Sequence, residues 1–198
     1  MKQSSASFPW RLWTGLTSLG LGLGIPLGFV LGVPAEIILG MMLVVPAIGL
    51  VAGASLGASQ AVILRARHAR GLAWIFATAL GMAFGLTAGT VSIELFGLQR
   101  GNPMDEALSM VVLGLAVGAS VGLPQWLVLR RRMTQAGWWL AASIAGTAVA
   151  FLGGGLTAQV LAGGFRSPAG LAVFALVAGA LMALATTPAL RRMVPHAA

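Results

Sequence analysis

Six long apolar stretches, separated by brief polar breaks, constrain this chain more than any other feature. They run over roughly 12–33, 37–64, 72–97, 105–130, 137–163 and 169–190. Each reaches the ~20 residues that a helix needs to cross the hydrocarbon core of a bilayer. Only 8% of the residues are charged and 58% are hydrophobic, with a mean hydropathy of +0.94. A soluble domain carries about 25% charged residues. The polar residues never accumulate in one place, so a sizeable domain outside the membrane is excluded. The apolar residues run on without alternating, which argues against a transmembrane β-barrel. The expected fold is all-α and transmembrane: one six-helix bundle occupying residues 1–198.

Charge sorts by side. Lys2 and Arg11 precede the first span, and Arg65, Arg67 and Arg70 lie between the second and third. Arg130, Arg131 and Arg132 separate the fourth from the fifth, and Arg191 and Arg192 follow the sixth. Only Arg100 and Arg166 fall on the other side, together with the acids Glu36, Glu94, Asp105 and Glu106. Under the positive-inside rule both termini face the cytoplasm, which predicts a multi-pass protein of the bacterial inner membrane. The net charge of +8 is read as this topological bias, so no nucleic-acid partner is expected. Trp10, Trp13, Trp74, Trp126, Trp138 and Trp139 all map to cytoplasmic helix ends, the places of an interfacial aromatic belt. The first span is too long for the apolar core of a signal peptide and reads as a retained helix.

Internal repetition narrows the architecture. The string GLVAGASLGASQAVILRAR (49–67) matches GLAVGASVGLPQWLVLRRR (114–132) at Gly49/Gly114, Gly53/Gly118, Ser55/Ser120, Gly57/Gly122, Gln60/Gln125 and Arg65/Arg130. A weaker copy, ALVAGALMALATTPALRRM (175–193), keeps Gly179, Leu190 and Arg191, with Leu181 in place of the serine and Thr186 in place of the glutamine. The odd spans share a second pattern, W-x6-G-x3-[GA]-x3-G. It comprises Trp13, Gly20, Gly24 and Gly28; Trp74, Gly81, Gly85 and Gly89; and Trp139, Gly146, Ala150 and Gly154. Three two-helix hairpins, about 10–67, 71–132 and 136–193, are expected to form a pseudo-threefold bundle about the membrane normal. The small residues recur four apart, as in a glycine zipper, and such faces let helix backbones approach closely. They imply a compact bundle with little room for a wide pore, and faces suited to docking against other helices. Pro26, Pro46, Pro124 and Pro188 are expected to kink their helices, with the kinks absorbed by neighbouring helices favoured over local gaps or a gating hinge.

The search for chemistry returns little. With no cysteine there is no thiolate and no disulfide, and His68 and His196 have no partner at metal-ligand spacing. Gly-x-Ser-x-Gly occurs around Ser55 and Ser120, but inside helices, without the strand-to-helix elbow that activates such a serine. A serine in the fourth of six spans resembles the rhomboid proteases. Val121 departs from their Gly-x-Ser-Gly signature, however, and the sixth span holds no histidine to act as base. Asp, Glu, His and Arg are absent from mid-span, where ion-coupled carriers place them. Two features remain. Gln60, Gln125 and Thr186 occupy equivalent places and could form a polar ring on the pseudo-axis, with hydrogen bonding between helices the favoured reading. Arg65, Arg130 and Arg191 end the even spans, where they complement the helix dipole and could hold anionic lipid head groups. No metal or resident cofactor is expected, which leaves bound lipid or a pigment held by Gln, backbone or water.

The strings GASVGLPQWLVLRRR and AGWWLAASIAG resemble a motif of multi-pass bacterial membrane proteins, in which a QWLVLRR helix end precedes a GWW helix start. The resemblance implies architecture and no activity. The sequence therefore points to a non-catalytic accessory or scaffold subunit. It would dock to other integral membrane subunits, for example in a respiratory or photosynthetic complex, and to membrane lipids. The alternative reading is a channel or facilitator for a small uncharged solute.

Overall fold

In the computed structural model the chain forms α1 (Trp10–Leu39), α2 (Val44–Arg65), α3 (Gly71–Leu95), α4 (Pro103–Leu129), α5 (Gly137–Ala162) and α6 (Pro168–Arg192). The structure describes residues 9–39, 43–65, 71–98, 101–131, 133–165 and 167–193, with the side chains of all of these except 33–39 and 65. All six helices are long and apolar enough to span a membrane, and the protein is a polytopic, six-helix transmembrane bundle. The first break falls after Leu39, several residues beyond the expected position, because α1 continues through Pro34. Proline is tolerated in membrane helices, where neighbours and local adjustments satisfy the freed carbonyl. Pro26, Pro124 and Pro188 likewise lie within unbroken helices, and Pro46 sits in the first turn of α2, where its missing N–H is not needed.

Local chemistry sets the helix ends. The Asn102 side chain accepts a 3.0 Å hydrogen bond from the Met104 N–H, Pro103 occupies the first position of α4, and Asp105 and Glu106 lie in its first turn. Carboxylates there offset the positive end of the helix dipole. Ser167 caps α6 in the same way through the Gly170 N–H, and Arg191 and Arg192 close its last turn. Gly163 ends α5 at φ +68°, a conformation that side chains with a Cβ resist.

Around the bundle each helix packs on its neighbours in sequence, and α1 packs on α6, so the helices close into a ring. No other helix pair makes backbone contact among the described residues. Glycine lies at every seam. Gly24 and Gly28 of α1 face the α2 backbone at Ala52 and Ile48; Gly49 and Gly53 of α2 face α3 at Ala83 and Ala79. Gly81 and Gly85 face α4 at Val121 and Val117, and Gly114 and Gly118 face α5 at Ala148 and Ile144. Gly154 faces α6 at Phe174, and Gly179 closes the ring against Ser18 of α1. The remaining stripe glycines, Gly20, Gly57, Gly89, Gly122 and Gly146, are also buried in these seams. The small-residue faces are thus consumed between the chain's own helices. They do not form the external docking faces that the sequence suggested.

The outer surface carries the large residues instead: Phe76, Phe84, Leu95, Val160 and Leu161 are among the most exposed side chains. Lipid is as apolar as leucine, so large apolar side chains can face outward without penalty while small residues are kept for close helix contact. Inside the ring, Leu21, Leu56, Met82, Val117, Phe151, Phe174 and Met182 belong to one core cluster. Phe151 and Phe174 meet edge to face at 5.2 Å.

Candidate functional site

A connected set of buried polar side chains lies at the end where α1 begins and α6 finishes. Trp13, Trp74 and Trp139 open α1, α3 and α5, and helical phase turns each of them inward. All three are essentially fully buried. Trp139 meets Trp13 at 6.1 Å and Trp74 at 5.3 Å between ring centroids, both edge to face. This corrects the expectation of an aromatic belt. Trp10 and Trp138 face outward, whereas these three form a cluster within the ring. The physical reason is in the indole itself. It fills a large volume in the bundle and, when buried, needs one acceptor for its N–H.

That acceptor comes each time from the even helix packed alongside. Trp74 Nε1 donates to Gln60 Oε1 at 3.1 Å, Trp139 Nε1 to Gln125 Oε1 at 3.0 Å, and Trp13 Nε1 to Thr186 Oγ1 at 3.2 Å. The three residues singled out as a polar ring are therefore the three indole acceptors, and all are buried. Gln125 does more: its Nε2 donates to Thr78 Oγ1 at 2.7 Å, and the Thr78 hydroxyl donates to the Trp74 carbonyl at 2.7 Å. One hydrogen-bonded chain thus runs from α5 through α4 to α3. Interhelical hydrogen bonds in membranes contribute about 0.6 kcal/mol on average and up to about 1.7 kcal/mol. Breaking one at a buried amide also leaves its partner unsatisfied.

A cavity of about 20 Å³ adjoins this level on the ring axis. Its polar wall is made by Gln60, Gln125, Ser143, Thr147 and Thr186, and the rest is apolar. The buried Thr17, four residues after Trp13, has an unpartnered hydroxyl but does not line the cavity. These side chains are amides, hydroxyls and indoles, which donate and accept hydrogen bonds but do not exchange protons readily near neutral pH. Ser55 and Ser120 lie at the α1–α2 and α3–α4 seams, beside Gly24 and Gly81. Among the described residues no group of three metal-ligating side chains occurs.

At the same end, arginines stack on outward indoles: Arg11 over Trp10 at 5.4 Å, Arg130 over Trp126 at 4.8 Å and Arg192 over Trp138 at 4.7 Å. Arg130 and Arg191 are exposed, whereas the side chain of Arg65 lies outside the described residues. Also outside them are Lys2, Arg67, His68, Arg70, Arg100, Arg132, Arg166 and His196, and the side chain of Glu36. Sequence reasoning placed Gln60, Gln125 and Thr186 together but missed their partners. The signal was present, since each glutamine precedes its tryptophan by 14 residues. No protein-family model, no curated protein and no solved structure matches this chain.

Proposed function

We propose that the chain is a non-catalytic accessory or scaffold subunit that acts through its outer surface, docking to other integral membrane proteins and to lipid. One observation carries this reading: the ring axis is filled by side chains, with a cavity of only about 20 Å³ beside the tryptophan cluster. With the axis packed and lined by no ionisable side chain among the described residues, the perimeter is the surface the bundle offers. That perimeter is a continuous apolar wall with an arginine–indole collar at one end, suited to anionic head groups. We place this end at the cytoplasmic face of a bacterial inner membrane, on the arginine bias. The ring is read as three hairpins about a pseudo-threefold axis, and the three indole–acceptor pairs support this by joining α2 to α3, α4 to α5 and α6 to α1.

Extraction in mild detergent or native nanodiscs, followed by size separation and mass spectrometry, tests the reading. The protein is expected in a complex with other integral membrane subunits. Elution as a lone 20.1 kDa chain under every mild condition contradicts it. The second reading, a facilitator for a small uncharged solute, draws support from the polar wall of the axial cavity. It requires flux into liposomes that falls in Gln125→Leu.

A further inference from the structure

Buried and half-buried hydroxyls in this bundle mostly follow one rule. Thr78, Thr87, Thr90, Ser92, Thr157, Thr186 and Thr187 each donate back to a carbonyl one turn earlier. Among the described residues the buried Thr17, Ser143 and Thr147 show no such bond; Thr17 lies away from the axial cavity, whereas Ser143 and Thr147, only 5% and 2% exposed, both line it. Leaving a hydroxyl inside a bundle without a partner is costly, so two hydroxyl side chains lining one small void call for a polar occupant.

Gln125 shows one way of satisfying a hydroxyl at this level, although Gln60 does not do the same for Thr17. Four residues after Trp74 stands Thr78, and the amide of Gln125 reaches it while accepting from Trp139. Four residues after Trp139 stands Ser143. The residue that fills the corresponding role on α6 is Thr186, which accepts from Trp13 but has no amide with which to reach Ser143. Thr186 and Ser143 both line the cavity, so a longer side chain at 186 would reach into that space. About 10–15 Å³ of such volume suffices for one water, and a buried water typically makes about three hydrogen bonds. The 20 Å³ here holds one water, and the wall offers five polar side chains.

We propose that this cavity is a binding site for a single water molecule that replaces the third amide, bonded to Ser143, Thr147 and the facing amides or Thr186. Such a water links α5 to α2, which lies across the ring and makes no backbone contact with it. It completes on the α6 side the polar level that Gln125 completes between α3, α4 and α5.

The test uses the full chain in nanodiscs or detergent, with two variants of opposite logic. In the wild type, a long-lived water is expected to show NMR cross-peaks to the Thr147 methyl and the Ser143 β-protons. Thr147→Val keeps the shape and removes one partner of the water, so its thermal midpoint should fall. In a dry cavity the same change removes an unpaired hydroxyl, and the midpoint should hold or rise. Thr186→Gln supplies the missing amide, and should abolish the water cross-peaks without lowering the midpoint. Absence of the cross-peaks in the wild type overturns the proposal, as does an unchanged or raised midpoint in Thr147→Val. Persistence of the cross-peaks in a folded Thr186→Gln overturns the claim that the water stands in for an amide.

Discussion

The α2–α3 seam allows the packing argument to be tested with one methyl group. A Cβ added at Gly49 would lie 2.5 Å from Ala83 Cα, 2.8 Å from its nitrogen and 2.9 Å from the Met82 carbonyl oxygen. All three atoms belong to the α3 backbone, so no side chain can rotate away. Ordinary carbon contacts sit near 3.5–4.0 Å, so Gly49→Ala must push the two helices apart by about 1 Å. A gap of 0.5–1 Å forfeits about a quarter to a half of each dispersion contact it touches. Overpacking of this kind costs about 1–3 kcal/mol. Alanine is also the better helix former by up to about 1 kcal/mol, and Gly15→Ala isolates that gain, because nothing lies within 4 Å of a Cβ at Gly15 of α1. Unfolding of the two variants, measured side by side in the same detergent, therefore separates seam from propensity. Gly49→Ala should be less stable than the wild type, and Gly15→Ala equal to it or more stable. If Gly49→Ala matches Gly15→Ala, the helices are not held at the separation described and the reasoning fails.

Other perturbations address the polar level and the collar. Gln125→Leu strands the Trp139 N–H and removes the donor to Thr78, and should cost about 1–3 kcal/mol in an unfolding assay. Lipids carrying quenchers in the head-group region should quench Trp10 and Trp138 while sparing Trp13, Trp74 and Trp139, as read from single-tryptophan variants by fluorescence. Replacing Arg130 and Arg192 by Gln should weaken the preference for anionic over zwitterionic lipid by about 1 kcal/mol per charge, measured as the difference in thermal stabilisation between the two lipids.

Much of the fold was legible because bilayer thickness fixes helix length, and six apolar runs leave few other solutions. The glycine stripes were legible for the same reason: Gly20, Gly24 and Gly28 recur at one helical face, and that face is a seam. What the stripes touch was not legible. Gly24 meets α2 within its own hairpin, whereas Gly179 meets α1 at the far end of the chain, and spacing cannot distinguish a neighbour from a partner protein. The tryptophans were misplaced because residues at helix ends suit both an interface and a buried cluster. Trp138 and Trp139 show how fine the distinction is, since one step of about 100° along the helix leaves the first outside and turns the second inward. The break after α1 was drawn too early because proline is a weaker stop signal in lipid than in water. The cavity was invisible to sequence pattern, since it arises from the difference between Thr186 and the glutamines that act as it does on the other even helices.

Closure of the ring between the first and last helices is the central claim, and the cysteine-free sequence gives a clean background for measuring it. A Cβ at Gly22 of α1 would lie 2.6 Å from Leu176 Cδ2 and 3.2 Å from its Cγ on α6, an approach compatible with the 3.5–4.5 Å Cβ separation of a disulfide. The double variant Gly22→Cys/Leu176→Cys, oxidised in the membrane and mapped by mass spectrometry, should yield a disulfide within one chain. A control pairing Gly22→Cys with Leu115→Cys, on α4 across the ring, should not. A disulfide only between chains in the first variant, or one within the chain in the control, contradicts the closed ring.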